Sequence, residues 1–132
     1  MRLYRYMHVG RSLGCACLFL FFSGAVLAAE DSDAEVQYLL KFGADSGCTF
    51  TRNGSDHDSV DAADHLRLKY DKGRRYAGSA EDFIDRLATE SSWTGKPYTV
   101  NCDGKVENSG AWLHRALEQY RGTDVSAIPQ GE

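Results

Sequence analysis

Past Glu30 the chain has no Gly-x-Ser-x-Gly elbow and no Ser-x-x-Lys pair, so the common serine-nucleophile arrangements are missing. Thr94-Gly95-Lys96 has the look of a phosphate-loop tail, but the upstream glycine is absent, Pro97 follows the lysine, and a strand pattern comes next instead of a helix. Nucleoside triphosphate binding through a phosphate loop is therefore not expected. Internal repeats and low-complexity segments are absent. So is any excess of positive charge, because the 15 Lys and Arg are outnumbered by 19 Asp and Glu. A net negative surface repels nucleic acid and anionic lipid at long range, which disfavours both as general partners.

The first 29 residues differ from the rest. Arg2, Arg5 and Arg11 are the only charges before Glu30, and Leu13 to Leu27 is a 15-residue run of apolar and small residues. This is the pattern of a secretory signal peptide over residues 1–28, with Val26-Leu27-Ala28 as the small-x-small cleavage signal and cleavage after Ala28 or Ala29. The run is shorter than the ~20 residues that span a bilayer, so no transmembrane span is expected in the mature form. Removing the leader takes three basic residues, leaving 12 against 19 acids, a net charge of about −7. Of the four cysteines, Cys15 and Cys17 leave with it. Cys48 and Cys102 remain, and two cysteines in an exported chain predict a disulfide. The mature chain is long enough for one core: a single domain over 29–121 and a polar tail over 122–132.

Secondary structure is read from periodicity and punctuation. Ser32-x-x-Glu35 has the form of a capping box for a helix over about 32–43. Residues 48–52 alternate and are rich in β-formers, and Asn53-Gly54 is a turn pair; with Ser55 it also makes a glycosylation acceptor triplet, here read as a turn. A second helix is expected over about 56–72. Its inner side would carry Val60, Ala62, Ala63, Leu66 and Tyr70, and its polar side His57, Asp58, Asp61, Asp64 and His65. Ser79 opens a third helix with Glu81 and Asp82 in its first turn. Residues 98–102 form another strand, Asp103-Gly104 a tight turn, Lys105-Val106 a short return strand, and Ser109 the cap of a fourth helix. The fold class is α+β: about four helices with a small two- or three-stranded antiparallel sheet. The expected core is Val36, Leu39, Leu40, Phe50, Val60, Leu66, Phe83, Ile84, Leu87, Val100, Trp112, Leu113 and Leu117.

The two main strands have a definite register. Antiparallel pairing with Cys48 opposite Cys102 places Phe50 opposite Val100 and Arg52 opposite Tyr98, all on one face because side chains alternate with period two. A parallel arrangement would set Phe50 against Gly104, past the strand end. The register and the disulfide therefore support each other.

Four segments together resemble the YfeK-like family of small exported bacterial proteins: Phe50-x-Arg52-Asn53-Gly54-x-x-His57, His65-Leu66-Arg67-x-Lys69, Ala80-Glu81-x-Phe83-Ile84-Asp85 and Ser91-Ser92-x-Thr94-Gly95-Lys96-Pro97-Tyr98. The resemblance runs from about Val36 to Arg121. It implies a periplasmic address and no particular activity. It also directs attention to the matching polar residues Arg52, Asn53, His57, His65, Arg67, Lys69, Ser91, Ser92, Thr94, Lys96 and Tyr98. Cys48 and Cys102 lie outside the family pattern.

Weighing these residues gives one leading expectation. His57-x3-Asp61-x3-His65 lines up possible metal ligands, but eight helical residues separate the histidines by ~12 Å, too far for both to reach one ion with bonds of ~2 Å. Only a weak half-site is left, and neither a metal nor a cofactor is expected. A small hydrolase using His57 or His65 as base with Asp61 orienting it is the alternative enzyme; no complete catalytic set supports it. The leading expectation is a non-enzymatic periplasmic module that holds an anionic ligand or partner protein at Arg52, Asn53, His57, Lys96 and Tyr98. His65, Arg67, Lys69, Ser91, Ser92 and Thr94 form a second tier. A patch around Leu68 is a third possibility.

Overall fold

A computed structural model describes the backbone of residues 24–126 and the side chains of residues 31–122. The predicted signal peptide lies outside the described residues except for the backbone of 24–28. In order, the chain forms α1 (Gly24–Asp45), a hairpin of β1 (Thr49–Arg52) and β2 (Ser55–His57), α2 (Ser59–Gly73), and one 3-10 turn (Arg74–Tyr76). It continues with α3 (Ala80–Phe83), a π-helical turn (Ile84–Ala88), a second hairpin of β3 (Thr99–Cys102) and β4 (Lys105–Asn108), and α4 (Ser109–Ser126). The four strands make one antiparallel sheet in the order β2-β1-β3-β4. The fold is α+β, with one strand more than expected.

The central register is the predicted one. Thr49 pairs with Asn101, Phe50 with Val100 and Thr51 with Thr99, which continues to Cys48 opposite Cys102. These cysteines are bonded, with Cα atoms 4.7 Å apart. Both hairpins turn on two residues with positive φ: Asn53 (50°) with Gly54 (82°), and Asp103 (53°) with Gly104 (87°). That geometry matches the twist of the flanking strands and suits Asn-Gly and Asp-Gly pairs.

Three helix boundaries differ from expectation. The capping box does not form, because α1 runs on upstream through alanine-rich residues of high helix propensity. Ser32 Oγ instead donates to Gly78 O (3.4 Å), and Glu35 receives Arg121 at 2.6 and 2.9 Å. Residues 55–57 are β2 rather than the start of α2, since the Asn53-Gly54 turn returns the chain alongside β1 before Asp58 caps the helix by accepting from Asp61 N (2.9 Å). At α4 it is Asn108 Oδ1 that accepts from Gly110 N (2.9 Å) and Ala111 N (3.4 Å), while Ser109 Oγ is drawn inward to Ala88 O (3.1 Å). Ser79 caps α3 as expected, accepting from Asp82 N at 3.1 Å. Helix α4 continues through Gly122 to Ser126, into the segment expected to be a tail; residues 127–132 lie outside the described ones.

The core lies between the sheet and the helices and includes Val36, Leu39, Leu40, Phe50, Phe83, Ile84, Leu87, Val100, Trp112, Leu113 and Leu117. Leu66 is only partly buried. Val60 is 57% exposed, which corrects its placement in the core. At 100° per residue the inward line of α2 runs through Ser59, Ala63, Leu66 and Tyr70, and Val60 stands a full step off that line. The neighbouring line, Ala62, His65 and Lys69, borders the strand hairpin and is where the polar chemistry gathers.

Candidate functional site

The end of β1, one edge of α2 and the loop 91–98 enclose a pocket of about 190 Å³, lined by Arg52, Asn53, His65, Lys69, Ser91, Ser92, Trp93 and Tyr98. A smaller cavity of about 30 Å³ shares Arg52, His65 and Tyr98 and adds His57 and Thr51 among its lining. Each wall has a local cause. Arg52 sits at the last position of β1, on the face set by the register. His65 and Lys69 are one helical turn apart and so project side by side. The loop follows the π-helical turn, where Thr89 Oγ1 donates to Ile84 O at 2.8 Å.

That loop is held closed by its own backbone. Ser91 N donates to Lys96 O (3.0 Å), Gly95 N to Ser91 O (2.8 Å) and Tyr98 N to Thr89 O (2.8 Å). Gly95, at φ +66°, supplies the left-handed residue the turn requires. Asn53 then clasps the loop to the hairpin: its Nδ2 donates to Ser91 Oγ (3.3 Å) and its Oδ1 accepts from Thr94 Oγ1 (2.6 Å). Both halves of the Asn53 amide are thus engaged within the protein, and Thr94 serves the same clasp.

Two cations share the pocket, and the Glu90 carboxylate is near enough to act on Lys69 and Tyr98 in the opposite sense to Arg52. Lys69 Nζ donates to two neutral acceptors, Glu90 O (3.1 Å) and Tyr98 Oη (3.3 Å), and lies 5.1 Å from the centre of the Tyr98 ring. Burial, and then the nearby Arg52 charge, hold the Lys69 ammonium below the usual lysine range. Among the described residues the Arg52 guanidinium has no hydrogen-bond or ion-pair partner, whereas Arg74, Arg86, Arg115 and Arg121 each meet a carboxylate. Burial pushes the Tyr98 phenol up, with Arg52 and the Ser91 hydroxyl acting in the opposite direction.

His65 belongs to this pocket and not to a solvated outer face, which corrects the expectation from periodicity. Its Nε2 is buried without a hydrogen-bond partner. Burial first, then the charges of Arg52, Lys69 and His57, pushes its pKa down to about 4. In the unfolded chain His65 binds a proton near pH 6.5, so between about 6.5 and 4 the unfolded state holds more protons and stability rises with pH. This contribution is complete above pH 6.5 and is lost as pH falls towards 4. His65→Gln is expected to flatten that part of the stability curve by about 1 kcal/mol, a figure discounted for solvent screening at a partly exposed ring. Urea midpoints at pH 7 and pH 4.5 measure it; equal losses in both proteins would remove His65 as the cause.

The remaining candidates lie elsewhere or serve the framework. His57 is on β2, opposite Phe50, and reaches only the smaller cavity. No hydrogen bond joins Asp61 to His57 or His65, so the base-and-orienter pair is not assembled. Lys96 is exposed and contributes backbone to the loop, not its side chain to the pocket. Arg67, on the edge of α2, is exposed; it donates to Gln37 Oε1 at 3.0 Å, on the side of α2 facing α1. Among the described residues no group of three His, Cys, Asp or Glu is placed to hold a metal ion, and no helix is long and apolar enough to cross a membrane. Sequence reasoning passes over Trp93, which lines the pocket while 97% exposed. Its one signal is the setting, a tryptophan in a polar Ser-Ser-x-Thr-Gly loop.

Residues 30–121 match the model of the family of unknown function DUF5329. The chain belongs to that family. An uncharacterised protein, YfeK of Salmonella typhimurium, is 52% identical over 50 residues, which cover 38% of this chain and 42% of that relative. The match thus spans less than half the length of the curated relative. No solved structure matches this chain. The DUF5329 region contains the pocket, both hairpins and the disulfide.

Proposed function

We propose that this DUF5329 protein is an exported, non-enzymatic binding module that holds an anionic group between Arg52 and Lys69. The observation that carries this reading is the guanidinium of Arg52. It lines a pocket beside a second cation, in a protein whose net charge is −4, with no carboxylate bonded to either one among the described residues. A partly covered arginine favours an acceptor, and its planar fork matches a carboxylate or phosphate. The pocket is a concave site with a few converging polar groups, as binding sites are. Export to the periplasm is supported by the leader pattern and the Cys48–Cys102 bond.

The test is calorimetric titration of the purified protein with phosphate, sulfate and acetate. Arg52→Ala is expected to weaken binding at least about tenfold, since a hydrogen bond to a charged group contributes ~1.5–3 kcal/mol. Arg52→Lys, which keeps charge and loses the fork, is expected to fall between. Equal affinities in wild type and Arg52→Ala, or no binding of any of the three, would end this reading.

A further inference from the structure

The pocket's cations account for an anion; they do not account for the indole at its mouth. A tryptophan side chain gains more from burial than almost any other, and an indole left 97% exposed is unusual. The loop nonetheless holds the backbone that carries it. Ser91 Oγ accepts from both Trp93 N and Thr94 N (3.4 Å each), inside the turn that Gly95 and Asn53 close. At about 190 Å³ the pocket is smaller than the ~300–1,000 Å³ of sites that enclose a whole small molecule. It has room for the charged end of a ligand. The attached portion then lies at the mouth, against Trp93.

The surroundings of Trp93 decide what that portion is. An alkyl chain would use the indole face but make no hydrogen bond to the polar groups beside it, among them the exposed Ser92. The Ser92 hydroxyl lines the pocket and makes no hydrogen bond to another described residue, and Lys69 has donor capacity beyond its two neutral acceptors. A pyranose ring satisfies both demands. One face is a sheet of polarised C–H groups that packs on the negative face of an indole, and its rim is hydroxyls. We propose that the ligand is a sugar carrying a carboxylate or phosphate, a uronate or sugar phosphate, with the anion held by Arg52 and Lys69 and the ring stacked on Trp93. This rests on the anion-pocket reading and adds the ligand class to it.

The test uses the purified full-length protein with glucuronate, glucose 6-phosphate, glucose, acetate and inorganic phosphate, followed by calorimetry and tryptophan fluorescence. The chain has two tryptophans, and Trp112 is buried in the core, so ligand-dependent emission changes report Trp93. Glucuronate or glucose 6-phosphate is expected to bind at least tenfold more tightly than the simple anion it contains and than glucose, and to shift or quench emission. Trp93→Ala is expected to abolish that advantage, whereas Arg52→Ala weakens the sugar ligand and the simple anion alike; an unaltered urea midpoint shows that each variant folds. Sugar acids and sugar phosphates binding no better than acetate and phosphate, or binding equally well to Trp93→Ala, would overturn the inference. If inorganic phosphate still binds in an Arg52-dependent way, only the sugar reading is lost. If no anion does, the pocket reading goes with it.

Discussion

Replacing Cys48 and Cys102 together by serine is expected to cost roughly 4 kcal/mol of unfolding free energy. The bond joins positions 54 residues apart, and the chain-entropy model assigns a loop of that length about this much stabilisation, because the bridge removes open conformations from the unfolded ensemble. The same change is expected to steepen the urea dependence, since an unbridged unfolded chain exposes more surface. The bridge extends the β1–β3 pairing, the contact that joins the N-terminal and C-terminal halves of the sheet. Equilibrium urea unfolding of both proteins is the measurement. A change below about 1 kcal/mol would show that the bridge constrains the unfolded chain little. A count of two free thiols on the denatured, unreduced protein would show that the bridge does not form.

Phe83→Ala is expected to cost about 3–5 kcal/mol, the usual loss when a buried phenylalanine leaves a cavity behind. Among the described residues Phe83 is the largest fully buried side chain, with 0% exposure. Its ring meets Tyr70 edge to face, with centroids 5.5 Å apart. Tyr70 is itself held by a hydrogen bond to Asp33 (2.9 Å), which also takes Arg74 at 2.8 Å. The packing thus joins α1, α2 and α3, and α3 leads through the π-helical turn into the pocket loop. Phe83→Leu is expected to lose less, about 1.5 kcal/mol or below, because most of the volume is retained. A Phe83→Ala variant within about 1 kcal/mol of wild type would mean that the site collapses around the smaller side chain.

Much of the framework is legible in the sequence because it depends on short-range rules. Period-two alternation and the two cysteines together specify the β1–β3 register. Asn53-Gly54 and Asp103-Gly104 announce turns that need positive φ. Ser79 marks the start of α3. Yet the same Asn53-Gly54 pair implies a returning strand, and starting the helix at about residue 56 hides β2. That error displaces the start of α2. Val60 is expected inward and His65 outward for one reason: an amphipathic helix shows its faces by periodicity, and an edge position belongs to whichever neighbour covers it.

The resemblance to YfeK-like proteins gathers eleven polar residues without ranking them, and seven of these, Arg52, Asn53, His65, Lys69, Ser91, Ser92 and Tyr98, line the pocket. Arg52 and Tyr98 do share one pocket, as the register implies. Closeness in sequence to Tyr98 favours Lys96 over Lys69, but it is Lys69, 29 residues away, whose ammonium lies on the Tyr98 hydroxyl.

The segment from Phe50 to Lys69 supplies Arg52, Asn53, His65 and Lys69 to the pocket. Local periodicity and backbone chemistry suffice for an α+β chain with an export leader pattern, a bridged pair of central strands and two tight hairpin turns. They do not suffice for the pocket. Only the packed fold buries the Nε2 of His65, makes Asn53 a clasp, brings Lys69 and Arg52 together and stands Trp93 at the mouth. These depend on contacts across 21 to 41 residues, between α2, the first hairpin and the loop after α3. No local pattern encodes which of its polar residues a helix will turn toward a loop that has yet to fold beside it.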